Sequence, residues 1–230
     1  MNSKFFNWLL ETESVRYVYN RGSIIYDVRT DDSDIDFLVI VDSEFTIPEE
    51  FEKYKTQGYR HRKITYNIVI DNEDYVFFTT DEWFDKVLHG DLIAWECACL
   101  PSKFIHKEYV KLLLKTDPVQ LRKDFDNLLD LKYSVASEYY IKEEYRKWKK
   151  ELWDIIRICK FSSQIIENHK IINFKGAMPE YSLLVNNNIH NCDVINKMWF
   201  DCFTNEYSYL KQLTDGMLEK AKLKKINQDA

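Results

Sequence analysis

The stretch Asp34-Ile35-Asp36-Phe37-Leu38-Val39-Ile40-Val41 decides the fold that we expect for this chain. It begins with two acidic residues and continues as an unbroken apolar run, which is typical of a central strand covered on both faces. Successive side chains of a strand alternate between its faces, so Asp34 and Asp36 are predicted to project to the same side. The stretch therefore predicts a buried strand with a negatively charged tip.

A small-residue turn precedes this acidic strand along the chain. Val15 to Tyr19 has the β-branched and aromatic character of a strand, and Gly22-Ser23 follows before a short helical segment at Ile24 to Tyr26. A turn of this kind can point backbone N–H groups and a hydroxyl at a phosphate. The sequence thus predicts an anion site one loop before the two carboxylates.

Two carboxylates so close together repel each other unless a cation neutralises them. Magnesium prefers oxygen ligands, so we expect Asp34 and Asp36 to hold Mg²⁺, and a third acid from a neighbouring strand to complete the site. Asp74 is the candidate, with Asp71 and Glu73 as alternatives because loop edges are hard to place from sequence. Metal on one side and an anion site on the other predict a nucleoside triphosphate site with two Mg²⁺.

This pattern resembles the Gly-Ser…Asp-x-Asp signature of the DNA polymerase β nucleotidyltransferase superfamily. More narrowly, the chain is similar to the predicted nucleotidyltransferases of bacteria and phages grouped as RNA-repair-pathway polymerase-β-like proteins. The further matching stretches are Ile24 to Tyr26, Ser33, Asp74 before the helix Glu82 to Gly90, Trp95-Glu96, and Lys150 to Ile166. The resemblance implies an α+β fold, in which a palm-like mixed sheet flanked by helices precedes a C-terminal helical domain, together with magnesium and a nucleoside triphosphate.

The resemblance also implies a role for each matching residue. The expected catalytic and metal-binding residues are Asp34, Asp36 and Asp74, and the expected nucleotide-binding residues are Gly22, Ser23, Ser33, Lys150 and Arg157. Where family members commonly carry Arg and Gly, this chain has Ile24 and Asp27, which removes a cation from the phosphate side and adds an acid. Arg21, Arg29, or Lys150 and Arg157 on one predicted helix face, could compensate by facing the phosphates.

We expect transfer of a nucleoside monophosphate from a triphosphate to a hydroxyl acceptor, with pyrophosphate leaving. An RNA end, a small molecule and a protein side chain are all candidate acceptors. The alternative from another class is a binding or regulatory protein that keeps the fold and has lost activity, because of Ile24 and Asp27. The sequence fixes neither the nucleotide nor the oligomeric state.

Two other metal sites can be tested against the sequence. A calcium-binding EF-hand loop that started at Asp32 would have Phe37 where glycine is needed and Ser43 where glutamate is needed. The pairs Cys97 with Cys99 and His190 with Cys192 have the wrong spacing for a zinc ribbon or finger. The sequence therefore favours neither site.

Composition limits the class of protein. The net charge of −6 gives no basic surface of the kind that a tight nucleic-acid binder carries, although an acidic metal site can mask a local basic groove. No apolar run is long enough to cross a bilayer, and the 5 Cys have scattered spacings. We therefore expect a cytoplasmic protein with reduced thiols and no membrane partner.

The hydrophobic periodicity changes along the chain and predicts two domains. We predict a nucleotidyltransferase catalytic domain at residues 1–116 and a helical domain at residues 117–230. The predicted helices are 3–12, 48–57, 81–89, 92–100, 107–115, 119–140, 142–168 and 191–225, and the predicted strands are 15–19, 34–41, 63–70 and 74–79.

Overall fold

A computed structural model describes residues 3–29, 33–58, 62–89, 91–112, 114, 117–186 and 191–228. The chain divides into two compact units, one made of Met1–Leu88 and Glu96–Leu114 and the other of His89–Trp95 and Lys115–Ala230. The predicted boundary at residue 116 and the predicted helix stop at Gly90 lie outside the described residues.

Six strands of the first unit form one mixed sheet. They are β1 (Val15–Arg21), β2 (Ile35–Val41), β3 (Lys55–Gln57), β4 (Tyr66–Ile70), β5 (Glu73–Thr79) and β6 (Ile105–Glu108), in the spatial order β3-β4-β5-β2-β1-β6. Strand β2 lies between β1, which is antiparallel to it, and β5, which is parallel. Its residues Leu38 to Val41 are completely buried, as the apolar run predicted.

Helices cover both faces of this sheet. They are α1 (Lys4–Glu11), α2 (Ser23–Tyr26), α3 (Glu49–Glu52) and α4 (Thr80–His89). Helix α5 (Leu92–Cys99) spans the division of the chain, since its residues up to Trp95 belong to the second unit and those from Glu96 to the first. On one face α1 packs Phe5 and Phe6 into a core with Phe37 and Phe77. On the other face, Trp83 of α4 lies against Tyr19 of β1, with ring centroids 6.2 Å apart. The predicted α+β class, with a mixed sheet flanked by helices, is confirmed.

Two edge strands were not predicted. We expected a helix at 107–115, but Ile105–Glu108 is strand β6, paired antiparallel with β1, and the described residues that follow it are not helical. The second, Lys55–Gln57, is strand β3, inside the segment for which we expected a helix. Its three residues are exposed and do not alternate with apolar ones, so nothing in its sequence indicates a strand. It is a strand because it pairs with β4 at the edge of the sheet.

The second unit is helical, as predicted. Its main helices are α6 (Pro118–Ile141), α7 (Tyr145–Asn168), α8 (Met178–Leu184) and α9 (Cys192–Gln228). Helix α7 contacts α6, α8 and α9, and it buries one apolar stripe that includes Leu152, Ile156 and Phe161. The prediction missed α8, which lies between the predicted helices 142–168 and 191–225.

The longest helix, α9, contains 37 residues, which is enough in length to cross a bilayer. Polar residues interrupt it, however, and no helix in the described part of the chain has an apolar stretch long enough for that.

Candidate active site

Asp36 and Asp74 lie side by side at one end of the sheet. Asp36 on β2 pairs with Asp74 on the parallel strand β5. Residues that pair across neighbouring strands direct their side chains to the same face, so the two carboxylates share one face. Both stand at the second residue of their strands, where the chain enters the sheet.

Asp34 belongs to the same group of charges. It lies directly before β2 and is exposed. Its negative charge contributes to raising the pKa of the Asp74 carboxyl, which requires that the two acids lie within electrostatic range of each other. The structure thus brings the three predicted acids to one end of the sheet.

The turn at Gly22 contacts this acidic group directly. Gly22 has φ +69°, and a Cβ built on it would lie 2.0 Å from Oδ2 of Asp36. Such an approach is far below any real carbon–oxygen contact, and this backbone conformation is one that side chains strongly disfavour. A residue without a Cβ is therefore required where the turn meets the Asp36 carboxylate.

The two predicted serines lie on either side of the acids in sequence. Ser23 is buried and begins α2, where its carbonyl oxygen accepts a hydrogen bond from the N–H of Val28 at 3.0 Å. Ser33 is half-buried and directly precedes Asp34. Both serines are thus in the chain segments that lead into the acidic end of the sheet.

Asp74 sits in an environment that disfavours its charged form. Burial raises the pKa of its carboxyl above the ordinary value, and the charge of Asp36 raises this pKa further. The charge of Arg21 acts in the opposite direction. Oδ1 of Asp74 is buried and has no hydrogen-bond partner among the described residues. An uncompensated buried carboxylate oxygen is expensive, and such groups are concentrated at functional sites.

Arg21 is the cation closest in register to the acids. It pairs with Asp36 across β1 and β2, on the strand that ends at the Gly22 turn. It is half-buried, and the described residues include no ion-pair partner for it. Arg21 is thus one of the compensating cations that the sequence suggested, and the structure places it beside Asp36.

Arg62 is a site residue that the sequence did not reveal. It is buried, and its guanidinium donates to the carbonyl oxygen of Phe77 at 2.7 Å and to Oδ1 of Asn67 at 2.9 Å. Its charge lowers the pKa of Asp74. Arg62 comes from the loop before β4, so no motif in the sequence connects it with the acids.

The alternatives to Asp74 point elsewhere. Glu73 is paired with Ile35 and lies on the opposite face of the sheet, where it is buried and accepts a hydrogen bond from the Tyr75 hydroxyl at 2.5 Å. Asp71 is exposed in the turn between β4 and β5, with φ +54°. The strand register therefore favours Asp74 as the third acid.

The two predicted cations of the helical unit differ in environment. Lys150 is exposed on α7. Arg157 is buried, and its Nε donates to Oδ1 of Asp154 at 2.6 Å, while Lys132 lies 2.6 Å from Oδ2 of the same carboxylate. Burial disfavours the Asp154 charge, but the charges of Arg157 and Lys132 outweigh burial and hold the pKa of Asp154 below its ordinary value. Arg157 therefore has a structural role within the helical unit.

Ile24 and Asp27, where this chain differs from the pattern that its sequence resembles, lie in and beside α2. Ile24 is half-buried within the helix. Asp27 ends the helix in the left-handed conformation with φ +63°, a conformation that glycine adopts without strain. The Tyr26 hydroxyl of α2 donates to Oε2 of Glu96 on α5 at 3.0 Å, which connects α2 with α5.

The chemistry of the acids suits a hard divalent cation, because carboxylate oxygens are the ligands that magnesium prefers. The unpartnered Oδ1 of Asp74 is an available ligand atom on the shared face. Within the described residues, no three His, Cys, Asp or Glu side chains already stand as a group that could hold a metal ion. The donor set fits magnesium, and binding would require the carboxylates to close around the ion.

Comparison of the sequence with models of known protein families finds no match, and comparison with functionally curated proteins finds no similar sequence.

Proposed function

We propose that the protein is a magnesium-dependent nucleotidyltransferase that moves a nucleoside monophosphate from a nucleoside triphosphate to a hydroxyl acceptor. The supporting observation is the pairing of Asp36 with Asp74 on parallel strands, with the Gly22 turn packed against the Asp36 carboxylate. This geometry puts acids that suit a metal and a turn that suits a phosphate in direct contact.

Asp34, Asp36 and Asp74 would hold the magnesium ions. Bound magnesium would neutralise the charge that develops on the attacking and leaving oxygens of the transferred phosphoryl group. Without it, the three carboxylates repel each other and the phosphates. Burial raises the pKa of the Asp74 carboxyl, and the charges of Asp36 and Asp34 raise it further.

Asp74 is suited to receive the proton of the acceptor hydroxyl. In the metal-free protein the pKa of its carboxyl is raised, and its Oδ1 has no hydrogen-bond donor among the described residues. In the proposed step the acceptor oxygen bonds to the α-phosphorus, and its proton passes to the oxygen of the Asp74 carboxylate that does not bind the metal. The bond from the α-phosphorus to the bridging oxygen breaks, and pyrophosphate leaves.

The triphosphate would be held from the opposite side by the Gly22-Ser23 turn and Arg21. Gly22 lets the backbone approach closely, and Ser23 contributes N–H and hydroxyl donors. Arg21 supplies the positive charge that Ile24 does not, and its guanidinium can bond two phosphate oxygens at once. Arg62 is fixed by Phe77 and Asn67, so it contributes charge rather than a movable contact.

The test is incubation of the full chain with each of the four nucleoside triphosphates, labelled at the α-phosphate, in the presence of magnesium. Acceptors are supplied as separate pools of RNA, small hydroxyl compounds and protein. We expect label to be incorporated into one pool, and only when magnesium is present. The labelled pool also identifies the acceptor class. Asp36→Asn should abolish transfer, whereas Asp71→Asn, which removes an exposed acid from the β4–β5 turn, should preserve it. Label transfer by the Asp36→Asn variant at the wild-type rate would contradict the proposal.

A second candidate is a protein that binds nucleotides without turning them over. Ile24 and Asp27 favour it, since they leave α2 without a cation and with an added acid. Calorimetry distinguishes the two, because the enzyme requires magnesium-dependent triphosphate binding that Asp34→Asn abolishes. Triphosphate binding that is indifferent to magnesium and to that substitution supports the binding protein.

A further inference from the structure

The helical unit carries a column of aromatic rings along α9. Trp199, Phe203 and Tyr207 recur at every fourth residue, so they lie on one helix face. Trp199 and Phe203 stack with centroids 5.0 Å apart and an interplanar angle of 6°, and Phe203 and Tyr207 stack at 5.2 Å. The indole N–H of Trp199 donates to the carbonyl oxygen of Leu152 on α7 at 3.0 Å, which anchors the column.

This column forms one wall of a cavity of about 490 Å³ between α6, α7 and α9. A volume of this size is within the range of small-molecule sites. Asp126, Asp130 and Tyr133 of α6 form the opposite wall. A second cavity of about 330 Å³ shares Tyr133 and Trp199, so the aromatic lining continues beyond the first cavity.

One of the two carboxylates that line the cavity, that of Asp130, has no positively charged partner among the described residues. Two of the eight lining residues are acidic and none is basic. Asp126 is neutralised by Arg122, with 2.7 Å between Oδ2 and Nε. Asp130 is exposed, and its carboxylate has no ion-pair or hydrogen-bond partner in the part of the chain that the structure describes.

We propose that this cavity binds a small organic cation, with an alkylammonium group held between the aromatic column and Asp130. The rings of the column are stacked against one another, so they offer the cavity apolar surface for the alkyl groups of a cation, while the Asp130 carboxylate attracts its charge. The acidic wall would repel phosphates, and a neutral apolar ligand would bury the Asp130 charge without compensating for it. An organic cation satisfies both the rings and the carboxylate. The proposal does not depend on the reaction proposed for the sheet unit.

Choline is a suitable probe, since it is a small soluble trimethylammonium compound. Its neutral counterpart, 3,3-dimethyl-1-butanol, has the same shape with carbon in place of nitrogen. We expect saturable binding of choline to the full chain in a ligand-observed NMR titration, and roughly fivefold weaker binding of the neutral compound because it lacks the charge that Asp130 attracts. Equal binding of the two compounds, or no saturable choline binding, would overturn the proposal.

Variants test the named residues. Asp130→Asn removes the wall charge at an exposed position, and Phe203→Leu removes one ring of the column. Asp130→Asn should weaken choline binding roughly fivefold because it removes the attracting charge, and Phe203→Leu should weaken it by less because Leu keeps part of the apolar surface. Asp201→Asn is the matched control, because Asp201 is an exposed acid on α9 that does not line the cavity. Choline binding that is the same for Asp130→Asn and Asp201→Asn would show that the carboxylate has no part in it, and would refute the assignment. Since Asp130→Asn changes an exposed residue, its test holds even where Phe203→Leu unfolds the helical unit.

Discussion

The backbone of Gly22 and the carboxylate of Asp36 share a space that has no room for a Cβ. A Cβ on Gly22 would lie 2.0 Å from Oδ2 and 2.9 Å from Cγ of Asp36. Gly22 also has φ +69° and ψ −149°, a combination that is almost confined to glycine. The turn and the acidic strand therefore fit together only with glycine at this position.

Gly22→Ala should both destabilise the first unit and displace Asp36. The backbone strain alone costs about 1–3 kcal/mol, and the clash adds to it. The measurement is the free energy of unfolding in urea, together with magnesium-dependent triphosphate binding. Gly216→Ala is the control, because a Cβ at Gly216 in α9 meets no atom within 4 Å and should stabilise the helix by about 0.5–1 kcal/mol. Equal stability of Gly22→Ala and wild type would contradict the packing of the turn.

Asp74→Asn should stabilise the metal-free protein at neutral pH. The pKa of Asp74 is raised above its ordinary value of 3.8, so the folded state holds this proton more tightly than the unfolded state does. The charge of Asp74 therefore lowers the free energy of unfolding. This loss is absent well below the unfolded pKa, grows as pH rises from the unfolded pKa through the folded pKa, and is complete at neutral pH. Removing the charge should therefore raise the free energy of unfolding at neutral pH and leave it unchanged well below pH 3.8.

Urea unfolding of wild type and Asp74→Asn in chelator, across an acidic-to-neutral pH series, measures this difference. Added magnesium should reverse the order of stability, because wild type alone keeps the full set of ligands. A variant that is less stable than wild type at neutral pH without metal would mean that the Asp74 charge is compensated in the folded protein.

Glu73 and Asp74 are adjacent acids that should behave in opposite ways. Glu73 is buried and accepts from the Tyr75 hydroxyl, so Glu73→Gln should destabilise the first unit by about 1–2 kcal/mol. It lies on the face away from Asp36, so nucleotide transfer per folded molecule should be retained. Thermal unfolding and the transfer assay, run on both variants, separate the two roles. Loss of transfer in fully folded Glu73→Gln would argue that the metal site uses the other face.

Substitutions of Arg157 and Lys150 should differ in their effect on the stability of the helical unit. Arg157→Leu breaks the buried ion pair between Arg157 and Asp154 and leaves Lys132 beside the Asp154 carboxylate. Removing one partner of a buried ion pair costs about 3 kcal/mol. Lys150→Gln changes an exposed side chain and should alter stability by less than about 0.5 kcal/mol. Urea unfolding of the two variants provides the comparison. Similar stability of both variants would contradict a structural role for Arg157.

The parts of the fold and site that the sequence predicted are those with a local signal. The apolar run after Asp36 predicted the central strand, whereas the joint role of Asp34 and Asp36 in metal binding stays a prediction. The sequence showed Gly22 only as part of a small-residue turn and did not show that glycine is required there. The separation of this turn from Asp34 along the chain did predict a phosphate site near the acids. These features depend on spacing within one segment of chain.

The parts that were missed depend on contacts between distant segments. Strand β6 forms because β1 offers an edge for pairing, which overrides the helical pattern at 107–115. The sequence named Asp74 as the third acid but kept Glu73 as an alternative, and only the register of β5 against β2 separates the two, since a shift of one residue exchanges the faces. Arg62 reaches Phe77 and Asn67 from a loop, and no periodicity announces such a contact.

Manganese binding measured by electron paramagnetic resonance tests the central claim most directly, since Mn²⁺ accepts the same oxygen ligands as magnesium and its bound and free forms are distinguished by their spectra. We predict that wild type binds Mn²⁺, more tightly in the presence of a non-hydrolysable triphosphate, and that Asp36→Asn and Asp74→Asn lose this binding while Asp71→Asn retains it. Equal Mn²⁺ binding by all four proteins would contradict the assignment of the metal to the acids at the head of β2 and β5.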